Sequence, residues 1–207
     1  MNVGISLGWN CDAAVKGSEI GIRKMKADGY KTCPFDLCLT NYKGIVECIN
    51  DDFKYFMDSA YLSVCEPLIE RPHFNPGDLL IYNKKYNFIF PHESPWETKN
   101  NYYIENDFNE LKIKYNNRVN NFREYITNNY VTFIIIRYNK DISELRQAIK
   151  NTYNKDLTTN YNILFLDPND SNIFNKTLQE HHGKDSIKKH LQFMGMNYTD
   201  IENELTE

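Results

Sequence analysis

Two short, almost continuously apolar runs, Val131-Thr-Phe-Ile-Ile-Ile136 and Asn162-Ile-Leu-Phe-Leu166, flank a segment from Ser143 to Tyr153 whose apolar residues recur at helical spacing. Runs this short and this apolar read as strands covered on both faces. A strand, a helix and a strand in that order form a βαβ unit with parallel strands, because a hairpin leaves no room for the helix. The pattern predicts an α/β protein: a three-layer sandwich with a largely parallel central sheet. Arg137, Tyr138 and Asn139 then fall just beyond the carboxyl end of one strand and Asp167 beyond that of the other, at the edge where open α/β sheets build their sites.

A third strand for that sheet is Val3 to Leu7, in which Val3, Ile5 and Leu7 alternate with smaller residues. Gly8 lets the backbone turn sharply, and Asp12 to Val15 read as the first turn of a helix that either runs to about Met25, weakened by Gly17 and Gly21, or is split by them into shorter pieces. Cys11 therefore stands at a strand-to-helix junction, near the positive end of the helix dipole. Such a place lowers a thiol's pKa and suits a nucleophile; the commoner role of a cysteine is that of a small buried hydrophobe. Further on, Pro34 holds its neighbour extended and Phe35 offers an apolar anchor. Asp36 either caps a helical stretch running to about Ile49, the commoner use of such a residue, or points into a site as a carboxylate partner. Asp51-Asp52-Phe53 reads as the start of another short helix, with Phe53, Phe56 and Met57 on one face.

The middle of the chain predicts a small β-excursion: short strands at Tyr61 to Cys65, Leu79 to Tyr82 and Tyr86 to Phe90, the first two separated by a Pro- and Gly-containing stretch. The last strand delivers Pro91-His92-Glu93-Ser94-Pro95. Prolines on either side hold His92 on a short stiff loop, where a catalytic imidazole can be placed, although most loop histidines have no such role. Phe108 to Tyr125 reads as a helix with Leu111, Tyr115, Val119 and Phe122 on one face. Arg118 lies beside that stripe and either snorkels or reaches a carboxylate or phosphate in a cleft. Arg118 and Arg137 are thus candidate ligand-binding residues. Beyond Asp170 the chain turns polar. His181, His182, Asp185 and His190 match no zinc spacing, so no metal site is expected. Residues 171–207 read as a helical tail with a last helix from Asp185 to Met194.

With 207 residues, 41% hydrophobic and 25% charged, the chain suits a single globular domain that folds by itself. A net charge of -4 makes nucleic acid an unexpected partner. Five cysteines without a closely spaced metal-type pair fit a reduced, intracellular setting and a cytoplasmic protein. No signal peptide is evident, and no apolar run approaches the ~20 residues that span a bilayer. The phosphate-cradling GxxxxGK[ST] and GxGxxG loops and the GxSxG elbow are missing from the sequence, and no cofactor is expected.

Several of these segments, taken in order, resemble one family. They are SLGWNC from Ser6 to Cys11, PFD from Pro34 to Asp36, the apolar stretch from Gly44 to Phe53, His92 after its strand, KYNNRVNNF from Lys114 to Phe122, and FIIIR ending at Arg137. The series resembles the putative papain-like cysteine peptidase family, a domain-of-unknown-function group of bacteria and large DNA viruses, over about two thirds of the chain. For a viral member the compartment would be the host cytoplasm. The resemblance implies a Cys and His pair carried by Cys11 and His92, with Asp36 as the group that orients the imidazole. Asn10 and the Cys11 backbone N–H could donate to a developing oxyanion. The expected function is a cysteine-dependent hydrolase acting on a peptide or small-molecule substrate. Two alternatives stand beside it: a Rossmann-like protein binding a phosphorylated or sugar ligand through Arg118 and Arg137, and a non-enzymatic interaction protein. The family name implies a helical half joined to an antiparallel β-barrel, whereas the βαβ signal demands parallel strands.

Overall fold

In the computed structural model the described residues are 2–8, 11–65, 79–93, 103–137, 139–156 and 159–166. Asn10, Tyr138, Asp167, the stretch from 66 to 78 and the tail from 171 to 207, on which the expectations for its histidines and for a last helix fall, lie outside them. The elements run β1 (Asn2–Ser6), α1 (Asp12–Glu19), β2 to β4 after a second helix, and then the βαβ unit. In full, α2 is Tyr42–Asn50, β2 Leu62–Cys65, β3 Leu80–Asn83, β4 Phe88–Phe90, α3 Glu105–Asn128, β5 Tyr130–Ile136, α4 Ser143–Tyr153 and β6 Tyr161–Leu166.

The parallel sheet has the order β1-β5-β6. β5 is central because it is the most apolar: it pairs with β1 from Asn2↔Tyr130 to Ser6↔Ile134 and with β6 from Val131↔Tyr161 to Ile136↔Leu166. Strand alternation sends its side chains to two different cores. Val131 and Phe133 join Leu111, Tyr115, Val119 and Phe122 of α3 and Leu145, Ala148 and Ile149 of α4. Ile134 and Ile136 pack instead on Ala13 of α1. Helices therefore cover both faces, the layered α/β arrangement read from the βαβ pattern. Gly17 makes the second contact possible, since a Cβ there would overlap Ile134 Cδ1.

The β-excursion is an antiparallel meander in the order β2-β3-β4. It is joined to the main body through Leu39, which exchanges backbone hydrogen bonds of 2.9 and 3.0 Å with Ile89 of β4. A cluster of aromatic rings seals the junction. Phe35 meets Phe53, Phe56, Phe88 and Phe122 with centroids 5.5 to 6.2 Å apart, and each such buried ring contributes about 1.5–3 kcal/mol by burial alone.

Three local expectations are corrected. α1 does not run on to Met25 but ends at Glu19, and of the two glycines it is Gly21, with a φ of +74°, that turns the chain out of the helix. The stretch after Asp36 is not one helix: residues Pro34–Leu37 form a single 3-10 turn, Leu39 is extended in its bridge, and α2 starts only after Asn41, whose side chain accepts from the Gly44 N–H at 2.7 Å. No helix begins at Asp51, because Asp52 and Phe53 adopt left-handed angles with φ of +46° and +62°; Phe53, Phe56 and Met57 are nevertheless buried. Burial of the rings decides the path there, over helical periodicity.

Candidate functional site

The carboxyl edge of the sheet is shaped first by β1. Leu7 N–H still bonds Ile134 O at 2.9 Å, and then Gly8 breaks away with φ +89°. Ser6 Oγ accepts the Gly8 N–H at 3.0 Å. Thr40 Oγ1 donates to Leu7 O at 3.4 Å, so close that a Cβ on Gly8 would overlap it. Cys11 follows in right-handed helical conformation, with φ -67° and ψ -16°, and its carbonyl accepts the first helical bond from Val15 N–H at 3.0 Å. It stands at the start of α1 with its side chain partly exposed.

The other thiols with described side chains are of another kind. Cys33, Cys38 and Cys48 are fully buried, and burial pushes all three thiols up, Cys38 to about 12. Such groups stay protonated and inert at neutral pH.

His92 lies on the turn after β4, partly buried. The next residue, Glu93, turns back into the protein, its N–H bonding Phe90 O at 3.2 Å. Its carboxylate is wholly removed from solvent and is met from α3 by three donors: Lys114 Nζ, Tyr115 OH at 3.0 Å and Arg118 Nη1 at 3.2 Å. The Arg118 guanidinium also lies 4.3 Å from the Tyr115 ring centre, and Cys38 Sγ is 3.8 Å from the Tyr115 hydroxyl. Sequence reasoning passed over Glu93. A signal was available, because Lys114 and Arg118 stand four residues apart at the rim of an apolar stripe, where two long cations call for a shared carboxylate.

Asp36 is equally buried and equally engaged. Its Oδ2 accepts from Arg23 Nη2 at 3.1 Å and from the Cys33 N–H at 2.8 Å, and its Oδ1 from the Tyr30 hydroxyl at 3.4 Å. Burial raises its pKa above the ordinary value, against the opposing pull of Arg23. It caps its own turn backwards, at Cys33, rather than the helix that follows. Arg23, which lies past the end of α1 and 4.0 Å from the Tyr30 ring centre, was not foreseen as its partner.

Two tethers tie the end of β1 and the strand β4 to one short segment. Leu7 is bonded by Thr40, and Ile89 by Leu39; Cys11 is three residues beyond Gly8, and His92 three beyond Ile89. Arg137 closes the same edge from β5. It is buried, stacked 3.8 Å from the Tyr42 ring centre, with Nη1 donating to Asp141 O at 3.1 Å. A groove of about 510 Å³ between α2 and α4 includes Lys43, Glu47, Ser143 and Glu144 in its walls and none of these residues. Among the described residues no cluster of three His, Cys, Asp or Glu side chains could hold a metal ion, and no helix is long and apolar enough to cross a membrane.

Fold and edge together define a parallel α/β protein with a partly exposed cysteine where its first strand passes into its first helix. The chain belongs to a domain-of-unknown-function family described as putative papain-like cysteine peptidase, whose model matches residues 2–169. No curated protein and no solved structure matches it.

Proposed function

We propose that the protein is a cysteine-dependent acyl hydrolase in which Cys11 is the nucleophile and His92 its general base. The observation that carries the reading is the contrast among the thiols: Cys11 is partly exposed at a helix start, while Cys33, Cys38 and Cys48 are buried and held protonated. The membership of a family described as putative papain-like cysteine peptidase and the tethering of Leu7 and Ile89 to the adjacent Thr40 and Leu39 support it.

In the proposed reaction His92 takes the thiol proton and the Cys11 sulfur attacks the acyl carbon. The oxyanion that develops is met by the Cys11 backbone N–H and the Asn10 amide. The imidazolium returns its proton to the leaving group, and water, activated by the same imidazole, hydrolyses the thioester and frees the thiol. Asp36 orients the ring. That role comes from the family resemblance; in the structure the carboxylate is bonded to Arg23, the Cys33 N–H and Tyr30.

Alkylation by iodoacetamide with mass-spectrometric readout tests the pair. Cys11 should react at neutral pH about 10-fold or more faster than an ordinary thiol, and His92→Gln should bring its rate down to that of one. A release of p-nitrophenol from p-nitrophenyl acetate that is lost in Cys11→Ala supports the acyl chemistry. Ordinary reactivity of Cys11, unchanged by His92→Gln, overturns the reading.

A further inference from the structure

Among the described residues four side chains that carry a charge at neutral pH are buried: Asp36, Glu93, Arg118 and Arg137. A buried charge is costly unless it is paired, and three of the four obey that rule, Asp36 with Arg23 and Glu93 with Arg118 and Lys114. Arg137 does not. Among the described residues no carboxylate comes within ion-pair distance of it, although that of Asp141 acts on it through space. Its Nη1 donates to the backbone carbonyl of Asp141, and among the described residues its buried Nε has no acceptor. The nearby Asp141 carboxylate is turned to the Ser143 N–H at 2.9 Å. Tyr42 supports the guanidinium face from 3.8 Å, which fixes the plane of the fork without neutralising it.

The place of this residue in the fold is specific. β1 and β5 are neighbours, and the helices that follow them go to opposite faces: α1 packs on Ile134 and Ile136, α4 on the face of Phe133. Between such strands, at their carboxyl ends, open α/β sheets leave the crevice in which ligands bind. Cys11 comes from the loop after β1, and Arg137 is the first residue after β5. A cation oriented by stacking, without an ion-pair partner among the described residues and standing at a sheet crevice, is built to take an oxyanion from outside.

We infer that Arg137 anchors an anionic group of the substrate, a carboxylate or a phosphate, in the crevice between β1 and β5. The compound acted on therefore carries negative charge beside the acyl group that Cys11 attacks. This deepens the proposed hydrolase reading and rests on the reactivity of Cys11. It makes acidic peptides, or acyl compounds bearing a carboxylate or phosphate, the substrate class, and disfavours basic ones.

Two alkylating agents test it, because they share one reaction, attack of the thiolate on CH2 with loss of iodide, and differ in charge. Relative to the ratio shown by 2-mercaptoethanol, the protein's Cys11 should favour iodoacetate over iodoacetamide by roughly fivefold at low salt. In Arg137→Met the preference should vanish, and Arg137→Lys should keep part of it. Added acetate or inorganic phosphate should slow the iodoacetate reaction of the native protein, and the stronger of the two names the anion. A Cys11 that reacts fast with iodoacetamide but shows no preference for iodoacetate overturns the inference and leaves the hydrolase reading standing. A Cys11 inert to both overturns that reading itself. The wild-type ratio decides the matter even where the Met variant does not fold.

Discussion

Glu93 and Arg118 meet at 3.2 Å, with the carboxylate fully and the guanidinium almost fully out of solvent. This contact ties the residue after His92 to the middle of α3. Lys114 and the Tyr115 hydroxyl complete the shell, so the turn after β4 is held by charge and hydrogen bonds at its buried end while His92 stands at its rim.

Removing one member of that pair should cost more than removing both. Glu93→Ala leaves Arg118 buried without its carboxylate and is expected to destabilise by about 3 kcal/mol. The double variant Glu93→Ala, Arg118→Met should recover a substantial part of that loss, because no charge is stranded. Urea unfolding midpoints of the two single variants and the double variant measure the coupling; strict additivity would show that the two groups do not depend on each other.

Gly8 combines a left-handed φ of +89° with a Thr40 hydroxyl where its Cβ would stand. Gly8→Ala is expected to cost about 2 kcal/mol. Adding Thr40→Ala should relieve the overlap but not the backbone strain, so about half of the loss should remain. If Cys11 is presented by this turn, its alkylation rate should fall in Gly8→Ala under conditions where the variant is still folded.

The buried thiols set an alkaline limit. Cys38 keeps its proton to about pH 12 in the folded protein against an ordinary 9.0, because burial disfavours the thiolate. Unfolded chains release that proton first as pH rises. The folded state therefore binds more protons between about 9 and 12, and stability falls through that window by about 1.4 kcal/mol per pH unit for this group. Cys33 and Cys48, shifted in the same direction, steepen the slope. Denaturant midpoints from pH 8 to 11 should show the decline, and Cys38→Ala should make it shallower by one group's share.

Much of the sheet was legible because its signals are local. Ser143 to Tyr153 was read to the residue, and the apolar runs at Val131 and Asn162 became paired parallel strands displaced by one residue at their starts. The stripe of Leu111, Tyr115, Val119 and Phe122 is buried as its spacing predicts. Where long-range burial competes with local pattern the reading failed. The Phe53 region shows it: Phe53 packs on Phe35 and Phe122 with centroids 5.5 and 5.2 Å apart, and to reach both it leaves helical geometry.

The site divides along the same line. That Cys11 stands at a strand-to-helix junction follows from residues 3 to 15 alone, since alternation, a glycine and a helix start are all read within one window. Which charges are buried, and which of them are paired, depends on residues that meet only after folding. Arg23 reaches Asp36 across 13 positions, Arg118 reaches Glu93 across 25, and Arg137 is left facing a backbone carbonyl. The sequence determined the sheet and the position of its thiol, because strand and helix periodicity are properties of neighbours along the chain. Tertiary structure decided the electrostatics, because a charge acquires its partner, or lacks one, only when distant elements have closed around it.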